Sequence, residues 1–198
     1  MAENIKNRGT IGLLALQGAY FAHQKVLQIL GASTRLVRYP DELDEVDAIV
    51  VPGGESTTIL MMLDKDGLGD KLVERVKGGM PYFGTCAGAI IAASEATNPA
   101  QESLRLIDIN VKRNAYGRQV DSFVADFPLP GLDVEIFHGV FIRAPVISRI
   151  GERIEVLAEY DGHPVLIRGG NILLATFHPE LSGSTAVHEY FLGMVRIS

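Results

Sequence analysis

Tryptophan is absent, cysteine occurs once, and aromatic residues make up only 7% of the 198 positions. A lone thiol forms no intrachain disulfide, so nothing here calls for an oxidising compartment. Long apolar runs are missing too. The run before Gln17, "IGLLAL", falls far short of the ~20 residues of a membrane span, and no small-residue cleavage site follows it. Excess positive charge is also absent: 18 Lys and Arg face 24 Asp and Glu, a formal net charge of −6. That balance argues against a nucleic-acid surface, which normally presents a basic face. A cytoplasmic protein is the expectation.

What is present is core material. Hydrophobic residues supply 47% of the chain, enough for one core in a domain of this length. With no repeat, low-complexity tract or linker, residues 1–198 read as a single domain. "TIGLLALQG" is a nearly continuous apolar run ending in glycine, the pattern of a strand buried on both faces. "AYFAHQKVLQILG" follows with Ala19, Ala22, Val26, Ile29 and Leu30 at helical spacing and Gly31 as its stop. "TRLVRYP" and "DAIVVPGG" read as the second and third strands, a helical stretch begins near Ser56, and "MPYFGTC" reads as the fourth strand, before the helix "AGAIIAAS". Alternation of this kind predicts a parallel sheet with helices on both faces.

The second half changes character. β-rich runs dominate from "RLIDINVKRN" to "NILLATFHPE", with "YDGHPV" and "RGGN" as hairpin turns between antiparallel strands. A last amphipathic helix, "STAVHEYFLGMV", places Val187, Tyr190, Phe191, Met194 and Val195 on one side. The expected fold class is α/β, a mixed sheet that is parallel in the N-terminal half and has antiparallel strands in the C-terminal half.

The single thiol lies in Gly84-Thr85-Cys86-Ala87-Gly88, where a strand becomes a helix. That is the glycine-flanked form of a nucleophile elbow. The elbow holds its central residue in a strained turn, and glycines at the flanks remove clashes with the crossing strand and helix. It pushes the thiol toward solvent at a helix N-terminus, where the dipole favours a thiolate. The plainer reading is a cysteine serving as a small buried hydrophobe. A nucleophile needs a base, so the five histidines decide between the two.

His163 falls in a turn and His188 on the terminal helix, both reading as surface or packing residues; His23 and His138 are ambiguous. His178 differs, because "LLATFHPE" sets it just after a buried strand, with Pro179 ending the ladder and Glu180 two residues on. A carboxylate so placed can fix the ring tautomer and stabilise the imidazolium. "VPGGEST" adds Gly53 and Gly54 at another strand end, where backbone N–H groups can turn outward as an oxyanion hole. The same residues would also make a simple turn capped by Ser56 or Thr57. Taken together, these strand-end groups suggest a thiol hydrolase or transferase acting on an amide or ester.

In their order, "PGGES", "GTCAG" and "FHPE" resemble the class I (triad) glutamine amidotransferases. With "LALQGA", "KRNAYGRQVDSF" and "GVFIRAP" added, the sequence resembles more narrowly the family of glutaminase subunits of two-component pyridoxal 5′-phosphate synthases, from about Ile11 to Val195. The resemblance implies a flavodoxin-like fold and hydrolysis of L-glutamine to glutamate and ammonia. The ammonia would pass to a synthase subunit that combines it with ribose 5-phosphate and glyceraldehyde 3-phosphate. It implies Cys86 as nucleophile, His178 as acid and base and Glu180 as orienting carboxylate. Gly54, Glu55, Ser56, Arg113, Ile142 and Arg143 would contact glutamine, and the N–H groups of Gly54 and Ala87 would form the oxyanion hole. Arg113 and Arg143 suit an α-carboxylate, though an arginine on a β-rich surface is often merely solvated. No metal or organic cofactor is expected. Two positions depart from the family pattern: Ala22 precedes His23 where Glu is common, and Lys112 precedes Arg113 where Glu is frequent. The alternatives are the glutaminase subunit of another synthase, such as the imidazole glycerol phosphate one, and a catalytically silent binding module.

Overall fold

The computed structural model describes residues 9–113 and 122–195. Residues 114–121, which carry most of the "RNAYGRQ" motif, lie outside them, as does the stretch before Gly9. The main sheet has seven strands in the order β10-β11-β12-β4-β3-β1-β2. Its parallel part comprises β1 (Thr10–Leu14), β2 (Ser33–Val37), β3 (Ala48–Val51), β4 (Tyr82–Thr85) and β12 (Ile172–Ala175). β10 (Glu155–Tyr160) and β11 (His163–Gly169) extend it antiparallel through turns at Asp161-Gly162 and Gly170-Asn171, as the two hairpin signals predict.

Both faces of the sheet are covered. Along β3, Ile49 and Val51 point into one apolar cluster while Ala48 and Val50 point into the other, the period-2 alternation of a strand. The first cluster is closed by α2 (Ser56–Leu63), α3 (Leu68–Lys77) and α4 (Ala87–Ala92), and the second by α1 (Tyr20–Ile29) and α5 (Ala186–Met194). Each fully buried Leu, Ile or Phe contributes about 1.5–3 kcal/mol relative to exposure, which is how a chain with no disulfide holds together. Among the described residues no helix is long and apolar enough to cross a membrane.

The five remaining strands do not join the main sheet. β5 (Ala93–Thr97), β6 (Ile107–Lys112) and β9 (Val146–Ile150) form a three-stranded sheet on the first cluster, and β7 (Ser122–Leu129) and β8 (Val134–Ile142) a two-stranded ribbon on the second. The run "VEIFHGVFIRAPVI" therefore splits at Arg143, whose φ of +43° turns the chain out of one sheet into another.

Two helix faces differ from the sequence-based expectation. In α1 the buried residues are His23 and Leu27, while Ile29 is 77% exposed and Ala22 and Val26 are half-buried. In α5, His188 and Leu192 are buried beside Val187 and Phe191, and Tyr190 and Met194 are only half-buried. The inward stripe of each helix contains a histidine because a polar partner awaits it, which outweighs the loss of apolar burial.

Candidate active site

The carboxyl ends of β1, β3, β4 and β12 lie side by side, and every group singled out at a strand end converges there. β4 runs straight into α4 through Cys86, which sits at φ 46°, ψ −98°. A non-glycine residue held in such a region costs about 1–3 kcal/mol. The flanking glycines make the turn possible. A Cβ on Gly84 would lie 2.8 Å from the Gly88 backbone, and one on Gly88 would overlap the Val51 carbonyl oxygen. The elbow does not push the thiol into bulk solvent, as expected from sequence. Cys86 is 7% exposed and forms part of the floor of a cavity of about 220 Å³.

β12 ends at Ala175, and four residues later Pro179 opens a short 3-10 turn that carries Glu180. His178 Nδ1 meets Glu180 Oε1 at 2.8 Å, which leaves Nε2 as the ring nitrogen available to Cys86, its neighbour on the cavity wall. Burial alone would lower the His178 pKa, but hydrogen bonds to Cys86 and Glu180, and their charges, raise it to about 10. Burial likewise works to raise the Glu180 pKa; the His23 and His178 rings outweigh it and hold the carboxyl below its ordinary value. The backbone N–H of His178 donates to the Val140 carbonyl oxygen at 2.8 Å, tying the imidazole's own peptide to the β7–β8 ribbon.

The glycine turn after β3 completes the wall. A Cβ on Gly53 would overlap His178 Cε1 and lie 3.3 Å from Cys86 Cβ. The turn is fixed on three sides. Gly53 N–H donates to Thr85 Oγ1 at 3.0 Å, Gly53 O accepts from Ala19 N–H at 3.0 Å, and Glu55 N–H donates to Gln17 Oε1 at 2.7 Å. The cap of α2 is Glu55, whose carboxylate accepts from Thr58 N–H at 3.0 Å, rather than Ser56 or Thr57. Ser56 and Thr57 instead donate to Gln101 Oε1.

Gly54, Glu55, Ser56, Arg113, Ile142, Arg143, His178 and Cys86 all line the 220 Å³ cavity, together with Gln17 and Ile90, which the sequence reading missed. Arg113 lies 3.4 Å from Glu55 Oε1 and 3.3 Å from Thr57 Oγ1, so a cation and an anion stand side by side at the cavity wall. Arg143 is exposed and follows Ile142, whose carbonyl oxygen is 3.8 Å from the sulfur. A larger cavity, about 580 Å³, opens beside Asp108, Arg149 and Gly169, but it shares no lining residue with the thiol's cavity and holds no nucleophile.

The remaining histidines sort cleanly. His138 lies inside β8 and pairs with Asp126, and His163 starts β11 in an exposed position. His23 and His188 are not surface residues. Both are 0% exposed, and His23 Nδ1 lies 2.9 Å from His188 Nε2. His23 Nε2 lies 3.2 Å from Thr85 Oγ1 and 3.3 Å from Glu180 Oε2. The only hint in the sequence is that His23 falls in the first turn of α1, the helix that follows β1 at the sheet edge where function gathers.

A strained strand-to-helix thiol, sharing a cavity with an imidazole–carboxylate pair over a parallel sheet, defines a thiol-dependent hydrolase or transferase. The chain belongs to the SNO glutamine amidotransferase family, whose model matches residues 13–197. It is 50% identical over 186 residues to "Pyridoxal 5'-phosphate synthase subunit PdxT" of Thermosipho africanus, covering 94% of this chain and 98% of that one. A protein of the same name from Koribacter versatilis is 50% identical over 188 residues, covering 94% and 95%. A crystal structure of a glutamine amidotransferase superposes with a TM-score of 0.88 at 46% identity, covering 94% of this chain and 99% of that one. The structure of PurLQS from Thermotoga maritima, at 14% identity and a TM-score of 0.67 over 94% and 98%, shares the fold alone.

Proposed function

We propose that the protein is the glutaminase subunit of a pyridoxal 5′-phosphate synthase, one glutaminase domain over residues 1–198. It hydrolyses L-glutamine and hands the ammonia to its synthase subunit. The observation that carries the reading is the His178–Glu180 hydrogen-bonded pair beside Cys86 in a cavity sized for a small polar molecule. Relatives at 50% identity carry the synthase-subunit name.

The chemistry follows from the groups. Glutamine is a zwitterion, and the adjoining Glu55 and Arg113 suit its α-ammonium and α-carboxylate, with Arg143 as a second cation at the wall. The Cys86 thiolate attacks the side-chain amide carbon. Charge developing on the amide oxygen is received by the N–H groups of Gly54 and Ala87. Ala87 opens α4, where a backbone N–H has no intrahelical acceptor. Protonated His178 gives its proton to the departing nitrogen, which leaves as ammonia, and a thioester remains. Neutral His178 then takes a proton from water, the hydroxide attacks the thioester, and glutamate leaves as the thiolate and imidazolium are restored. Glu180 holds the ring through Nδ1 throughout. None of these steps requires a metal. The thiol has to stay reduced, which supports a cytoplasmic setting.

The test is glutamate release measured with and without the synthase subunit. Cys86→Ala is expected to remove activity by roughly 10⁴-fold or more while circular dichroism stays unchanged. Full turnover in that variant would refute the assignment of the nucleophile. Turnover of the intact protein is expected to rise on adding the synthase subunit, because gating limits waste of glutamine.

A further inference from the structure

We propose that His23 is a positioning residue of the triad: its Nε2–H steadies the outer oxygen of Glu180, and His188 fixes the tautomer that makes this possible. The proposal rests on the glutaminase reading for its kinetic consequences but not for its geometry. Glu180 has a fully buried side chain, and only Oε1 is engaged by His178. Oε2 has no hydrogen-bond partner among the described residues, and His23 Nε2 stands 3.3 Å from it, within ion-pair reach. A buried carboxylate oxygen left without a donor is costly, and a bare ring lone pair facing it would be repulsive. Nε2 of His23 therefore carries the hydrogen.

That choice propagates. Nδ1 of the neutral His23 ring becomes an acceptor and takes the Nε2–H of His188 at 2.9 Å. His188 Nδ1 is then a bare acceptor, in keeping with its having no partner among the described residues. The opposite tautomers would leave Glu180 Oε2 without a donor and bury an orphan N–H on His188. Burial lowers the pKa of His23, in spite of Glu180, and pushes His188 well below its ordinary value, so both rings are neutral as the chain requires. The same His23 N–H lies 3.2 Å from Thr85 Oγ1, the atom that accepts the Gly53 amide. One ring thus bridges the orienting carboxylate and the glycine turn.

The groups around His178 are Cys86 from the elbow, Glu180 from the 3-10 turn and His23 from α1, with His188 of α5 behind His23. Glu55, Arg113 and Arg143 line the same cavity in front. If Glu180 is less firmly held, His178 binds its proton less tightly, and the alkaline limb near pH 10 moves down.

The experiment compares His23→Gln, His23→Asn and His23→Leu, each assembled with the synthase subunit. Gln places an amide N–H near the Nε2 position; Asn falls short of it, and Leu has no donor. Asn and Leu are expected to lower kcat roughly 10- to 100-fold with KM little changed, and Gln to recover all but a few-fold of it. The second readout needs no glutamine. Alkylation of Cys86 by iodoacetate, an anion drawn by the imidazolium, is expected to lose its alkaline limb at lower pH in Asn and Leu than in the intact protein or Gln. Thermal unfolding checks that each variant is folded, and if Leu is not, Asn against Gln decides. Unchanged kcat and limb in Asn, or Gln no better than Asn, would overturn the proposal. Failure of the intact protein to hydrolyse glutamine would overturn the glutaminase reading alone, leaving the alkylation profile to judge His23.

Discussion

Behind the reactive thiol and in front of it the molecule is built in two different ways. Behind lies a row of polar side chains, Glu180, His23, Thr85 and His188, buried between α1, α5 and the sheet, with His23 hydrogen-bonded to Thr85 and His188 and 3.3 Å from Glu180. In front lies a cavity whose polar wall comes from connecting segments: Glu55 before α2, Arg113 after β6, Arg143 after β8. The rear is held by regular elements, so its geometry is set before any substrate arrives. The front is held by loop residues that bond to each other across the cavity wall, as Arg113 does with Glu55. The difference separates two jobs: the rear tunes the proton chemistry, and the front recognises an amino acid.

Variants can break that division. The largest effect is expected at the rear: Glu180→Gln keeps the shape but removes the charge opposite His178, and kcat for glutamate release should fall on the order of 10³- to 10⁴-fold. Next is Gly53→Ala, which presses a methyl onto His178 and displaces the ring from the sulfur. A misplacement of about an ångström costs roughly 100-fold in kcat. A front-side change should read out differently. Arg113→Ala is expected to raise KM for glutamine about tenfold with kcat nearly unchanged, and an equal fall in kcat would erase the distinction between the two sides. The smallest effect belongs to Thr85→Val, which unties the one hydroxyl shared by both sides. Urea unfolding should show a loss of about 1–2 kcal/mol and the glutaminase assay only a few-fold lower kcat.

The same contrast governs what the sequence disclosed. β1, β3 and β4 were legible because strands buried on both faces read as unbroken apolar runs, and glycines punctuate their ends. Cys86, His178 and Glu180 were legible because each is adjacent to such a run. His23 and His188 were not. A hydrophobic stripe through Ala22, Val26 and Ile29 points the helix the wrong way, since the ring that is buried is polar and its partners lie 157 and 165 positions downstream. The separation of β5–β9 into two small sheets was equally hidden. Nothing local to "RLIDINVKRN" says that it pairs with β5 and β9 rather than with β4, because register across distant segments is decided by packing. The turn at Arg143 had one local sign, Pro145 inside an otherwise continuous β run.

The amide of His178 hangs from the carbonyl of Val140, and the next carbonyl but one on that ribbon, Ile142, is the neighbour of the sulfur. The β7–β8 ribbon therefore touches both reacting residues through its backbone, so the placement of imidazole and sulfur depends on one strand that lies outside the main sheet.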